Sequence, residues 1–144
     1  MEMIAPFLLS LAATPLSLAP VPDAVTNDMS DFCVPFMRAS ETVETMRSQM
    51  LLKGLKTGAG NELFHGELKV QVAESRDGLR TCSISTSQTF AVTLAAVQRW
   101  PNIYTLTQLQ NEPGFHRWEG TRYFLSVTET DDSRTVVTFT KKRG

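Results

Sequence analysis

The sequence predicts an α+β domain: an antiparallel sheet of about five to six strands with two helices packed on one face, in the order α-β-β-α-β-β-β-β. Three observations lead there. Two segments carry apolar residues at three- and four-residue steps, the spacing of one helix face. Elsewhere apolar and polar residues alternate over short runs bounded by turn residues, the spacing of strands buried on one side. The order of these segments is neither a repeat nor an alternation of strand and helix, which sets aside solenoids and parallel βαβ sheets.

The first helix is expected from Asp31, which can cap a turn containing Pro35, or from a later start capped by Ser40. Phe36, Ala39, Val43, Met46 and Met50 form its apolar stripe, with Glu44, Arg47 and Lys53 off it. Gly54 supplies a C-cap, and Gly58 and Gly60 mark the loop that follows. In residues 67–74, Leu68, Val70 and Val72 alternate with Glu67, Lys69 and Gln71; in residues 79–86, Cys82 and Ile84 share a face. A loop of Asp77 and Gly78 alone would set Val72 against Ser83 and split the apolar faces. A loop of Arg76, Asp77 and Gly78 sets Val72 against Cys82 and Val70 against Ile84, so that register is chosen, with Gly78 in the left-handed conformation.

Ser87 caps the second expected helix, whose stripe is Phe90, Ala91, Leu94, Val97 and Trp100 and which Pro101 ends. Strands are then expected over 103–109, 115–119, 122–129 and 134–141. Pro113-Gly114 is a type II turn signal, because proline fixes one central dihedral and glycine accepts the positive one. A Gly120-Thr121 loop pairs Trp118 with Tyr123 and Glu119 with Arg122; Leu125 and Val127 continue the Tyr123 face, opposite Val137 and Phe139.

Residues 1–24 read as a secretory leader. The apolar run from Ile4 to Ala19, broken by Pro6 and Pro15, is too short to span a hydrocarbon core of about 30 Å, so no stable membrane insertion is expected once it is removed. Cleavage is expected near Ala24, with a cut after Ala19 as the other small-residue site, and residues 25–144 form one domain. All 14 lysines and arginines follow Ala24, while Glu2 and Asp23 leave with the leader, so 14 minus 13 gives the domain a charge of +1. That balance excludes the basic footprint of a nucleic-acid binder. Lys141, Lys142 and Arg143 read as a strand-edge guard.

Export makes Cys33 and Cys82 a disulfide that ties the first helix to the second strand, in a periplasmic or secreted protein. Neither cysteine stands in a C-x-x-C pair or beside a histidine. His65 and His116 lie in unrelated contexts without metal-ligand spacing, no G-x-S-x-G occurs, and Gly58-Ala59-Gly60 precedes no Lys-Ser/Thr pair, so no catalytic, metal or cofactor site is expected. The expected function is a non-catalytic accessory, inhibitor or other protein-interaction module. Its partner is a protein of unknown identity, and its surface includes Phe115, His116, Arg117 and Trp118, residue types that dominate interface hot spots. A second expectation is a pocket for a small apolar ligand lined by Met37, Met46, Met50, Phe90 and Leu94. A third is an enzyme with His65 or His116 beside a carboxylate or cysteine in a concave site.

Overall fold

Two short strands in the first half of the chain make the sheet larger than expected. The computed structural model describes residues 23–142, so the expected leader lies outside the described residues apart from Asp23 and Ala24. Among them are eight strands, β1 (Lys56–Thr57), β2 (Leu63–His65), β3 (Leu68–Glu74), β4 (Arg80–Thr86), β5 (Thr107–Glu112), β6 (Phe115–Glu119), β7 (Tyr123–Glu129) and β8 (Thr135–Lys141). They form one antiparallel sheet in the order β1-β2-β3-β4-β8-β7-β6-β5. The additional strands β1 and β2 are too short to show a period of two. They form because Leu63 pairs with Val70 and is fully buried. Gly58 lets the Phe64 ring pack where a Cβ would approach it to 2.0 Å.

The sheet is two four-stranded meanders, β1 to β4 and β5 to β8, joined through β4 and β8 in a register centred on Ser83 and Thr138. A helix precedes each meander and packs on its penultimate strand: α3 (Val43–Leu52) on β3, α4 (Phe90–Val97) on β7. The expected order lacked this duplication because the halves share no residue pattern, only a topology.

The first expected helix is two. A continuous helical stretch runs through α1 (Ala24–Asp28), a π-helical turn (Met29–Cys33) and α2 (Val34–Arg38). Its cap is Asp23, whose carboxylate accepts from the amides of Val25 at 2.7 Å and Thr26 at 3.2 Å; Asp31 sits inside the helix instead. Ala39 is extended and ends it, and Thr42 rather than Ser40 caps α3 by accepting from Thr45 N–H. At the far end of α3, Gly54 (φ 109°) donates to Leu51 O, and Leu55 donates to Met50 O. This paired closure seats buried Leu55 beside buried Met50. In the second expected helix, Thr89 rather than Ser87 is the cap. Pro101 does not end the helical region but lies in the first turn of α5 (Trp100–Ile103), where its missing N–H does no harm. The following strand therefore starts at Thr107, not at Ile103.

The β3–β4 register is the expected one, with Val72 opposite Cys82, Val70 opposite Ile84, and Gly78 at φ 86°. Leu125 faces Phe139 and Val127 faces Val137, also as expected. The β6–β7 turn differs: Trp118 pairs with Leu125 and Glu119 with Phe124, and the loop is Thr121-Arg122. Gly120 serves close approach rather than the turn, since a Cβ there would meet Thr105 O at 2.9 Å. The partner moves by two residues, so every side chain keeps its face.

All of these helices pack on the face carrying Val70, Cys82, Ile84, Val127, Val137 and Phe139. The N-terminal helix lies on β4, where the Cys33–Cys82 bond joins residues 49 apart at a Cα separation of 5.4 Å. Replacing both cysteines by alanine is expected to lower the unfolding free energy by about 2–4 kcal/mol, the usual range for a closed loop of this size. Urea denaturation of the oxidised and alanine forms measures it, and coincident curves would contradict the staple.

Candidate functional site

Alternation along β6 decides where the expected interaction residues go. Trp118 points into the core with only 4% of its surface exposed, opposite Leu125. His116 lies on the same side, its ring 5.5 Å from Phe90 and 5.8 Å from Trp118, with Gln108 Nε2 3.2 Å from its Nδ1. Phe115 and Arg117 take the opposite, helix-free face. The four residues thus do not make one surface: Trp118 is a core residue, and Phe115 and Arg117 lie on the helix-free face.

Arg117 is held by an aromatic rather than by an anion. Its guanidinium carbon lies 4.7 Å from the centre of the Phe124 ring, and the ammonium of Lys142 lies 4.6 Å from the same ring. Lys142 is paired with Glu119 at 2.6 Å, whereas no carboxylate among the described residues lies within ion-pair reach of Arg117. Hydroxyls continue the face across the central strands, with Ser83 beside Thr138 at 3.3 Å and Thr81 beside Thr140 at 3.5 Å.

A groove of about 250 Å³ opens on the same face between Lys69, Gln71, Ser83, Asp132 and Arg134. Its cations are already partnered. Arg134 donates from Nε to Ser85 Oγ at 2.7 Å and from Nη2 to the carbonyls of Ser85 and Glu67, while Lys69 pairs with Glu62 at 3.2 Å. Burial raises the Glu67 carboxyl, but the Thr86 hydroxyl, the Ser87 amide and Arg134 outweigh it and leave the group below its ordinary range. These contacts fasten the end of β4 and the start of the loop before α4 to the β2–β3 and β7–β8 turns.

On the helix-covered side, two polar residues hold the N-terminal helix down. Asp28, 2% exposed, places its carboxylate oxygens 2.9 and 3.0 Å from His65 Nδ1, and the His65 ring meets Phe32 edge-on at 5.8 Å. Arg80, 6% exposed, donates to Phe36 O at 3.0 Å and to Glu41 O, pairs with Glu74 at 3.4 Å and stacks on Phe36. The expected juxtaposition of His65 with a carboxylate is therefore present, but no hydroxyl or thiol among the described residues hydrogen-bonds its other nitrogen. The pair ties β2 to the N-terminal helix.

Neither Asp28 nor Arg80 carried a sequence signal. Asp28 and His65 are 37 residues apart, and Arg80 opens a strand like any exposed cation. Met37, Met46 and Met50 are buried in the main core cluster, with Phe90 and Leu94 packed against it. Among the described residues, no three His, Cys, Asp or Glu side chains gather to hold a metal ion, and no helix is long and apolar enough to cross a membrane. Comparison with protein-family models, curated proteins and solved structures gave no match.

Burial pushes the Asp28 carboxyl above its ordinary range, against the hydrogen bond and charge of His65, and the charge of Asp31 adds to the rise. A carboxyl raised on folding contributes stability that is complete below its unfolded pKa and is lost as pH climbs through the folded one. Asp28→Asn cannot titrate. The wild-type urea midpoint is therefore expected to fall relative to that of Asp28→Asn as pH rises through this interval; parallel pH profiles would contradict the assignment.

Proposed function

We propose that this chain is a non-catalytic interaction module of an oxidising compartment, periplasmic or extracellular, acting as an accessory or inhibitory domain. Its partner is a protein that presents an aspartate or glutamate side chain to Arg117. One observation carries the reading: the Arg117 guanidinium is stacked on Phe124 without a carboxylate partner among the described residues, on a sheet face that the described helices leave uncovered. An arginine held flat on a ring loses little side-chain freedom when it forms a two-point bond with a carboxylate, and arginine is enriched among residues that dominate interfaces. Phe115 on the same strand face offers adjoining apolar surface.

The compartment rests on the Cys33–Cys82 pair, which an oxidising environment preserves. If a leader is removed, the Asp23 cap and the buried Val25 favour a cut that leaves Asp23 on the chain over one after Ala24, which would expose the first turn of α1. Mass spectrometry of the exported protein is expected to give an N-terminus at or before Asp23 and a mass two hydrogens below the dithiol form. A start at Val25 or free thiols would overturn the corresponding statement.

Affinity capture from the exported fraction tests the binding face. Wild type and Leu52→Ala, altered at a site 88% exposed on α3, are expected to retain the same partner, and Arg117→Ala to retain at least about tenfold less, as for a hot-spot arginine. Equal recovery by all three baits, or recovery by none, removes the proposal.

A second reading, small-ligand binding, is favoured by one feature. Trp100 lines a groove of about 270 Å³ with Val34, Ile103 and Tyr104, and its indole N–H is buried without an acceptor. Decanoate, an apolar acid, is the probe: a saturable change in tryptophan fluorescence that Trp100→Phe weakens supports this reading, and a flat titration removes it.

A further inference from the structure

The two edges of the sheet are built differently. At one end β1 is two residues long and carries Lys56, a short charged edge of the kind that resists pairing. At the other, β5 runs six residues, bonds among the described residues only to β6 and is exposed at every position except half-buried Gln110. The run Thr107-Gln108-Leu109-Gln110-Asn111-Glu112 contains no lysine, arginine or proline. Its outward backbone groups are thus an unguarded template for another strand.

We propose that the occupant is a second copy of this chain, with β5 lying antiparallel against β5 of the partner so that the two sheets become one. Charge decides in favour of self-pairing. Glu112 is the only charge in the strand and stands at its end. A two-fold axis between Leu109 and Gln110 sets Glu112 against Thr107, Gln108 against Asn111 and Leu109 against Gln110, so no like charges meet and amide side chains face one another. Leu109, 52% exposed where β5 skips a residue between Gln108 and Gln110, gains apolar cover from the second copy. That bulge is the one feature of β5 that opposes pairing, and it exposes a leucine in place of the usual charge. Guarding of β1 disfavours the alternative β1-to-β5 contact, which would propagate into fibres, so the assembly closes at two.

Sedimentation equilibrium of the intact, oxidised protein tests this, together with hydrogen exchange followed over the same concentrations. A contact of this length is at the small end of interfaces, so a monomer–dimer equilibrium with Kd of about 1–100 μM is expected. Exchange in residues 107–112 is expected to slow as concentration rises while that of β1 stays constant. Leu109→Lys and Gln108→Lys restore the missing guard and are expected to raise Kd at least about tenfold with unchanged circular dichroism and melting temperature; Lys56→Gln is expected to leave it unchanged. Monomer throughout the range, or dimerisation by both lysine variants at wild-type strength, overturns the proposal. Protection of 107–112 that appears only on adding an exported extract to monomeric protein assigns the edge to a different chain and overturns it as well.

Discussion

The seating of the N-terminal helix on β4 is the constraint on which the rest of the structure depends. An antiparallel sheet with one apolar face must have that face covered, and the centre of this one is covered by Val25, Met29, Phe32, Cys33 and Phe36 on a single helical stretch. Three fasteners of different chemistry hold the stretch at successive points: the hydrogen bond between Asp28 and His65, the covalent bond from Cys33, and the Arg80 guanidinium on the ring and carbonyl of Phe36. Each draws on a different strand position, so the helix is fixed in rotation as well as in place. Short helices are marginal by themselves, and this one owes its persistence to its seat.

Burying Arg80 is tolerable because its donors are taken up and its flat surface is stacked on an aromatic ring. Arg117 uses the same stacking on Phe124 on the other side of the sheet, but there the donors lack a carboxylate. One residue type, held by one kind of contact, has its donors taken up where backbone carbonyls and Glu74 surround it and meets no carboxylate of the described residues where they do not. This contrast, rather than composition, marks the helix-free face as the surface with unused bonding capacity.

Much of the framework was legible in the residues. Val70, Val72, Cys82 and Ile84 fixed the register of β3 against β4, because a slip of one would have turned every apolar side chain outward. The cysteine pair was expected from the leader and the count of two cysteines, and the same register put Cys82 on the face where the first helix could reach it. What escaped notice did so for physical reasons. β1 and β2 are shorter than one period of alternation, and Pro101 reads equally as a helix stop or a first-turn residue. The helix from Ala24 begins at residues whose composition suits a cleaved leader as well as a fold. At the candidate site, Arg117 was legible as a residue type, while the expected pairing of Trp118 with the Tyr123–Leu125–Val127 face already pointed it at the core, against the contact role that its residue type suggested. Phe124, the ring that makes Arg117 distinctive, follows it by seven positions across a turn and left no motif.

The joining of the two meanders through β4 and β8 also bears on how the chain reaches this state. The last strand described occupies the middle of the sheet, and Cys82 lies opposite Phe139. Without that strand β4 is an open edge, and the first meander lacks half of the hydrogen bonds of its innermost strand. Such non-local closure is slow, and the half-built form is exposed to aggregation. The sheet is therefore complete only when β8 is in place, and removing β8 would take out a middle strand rather than trim the rim.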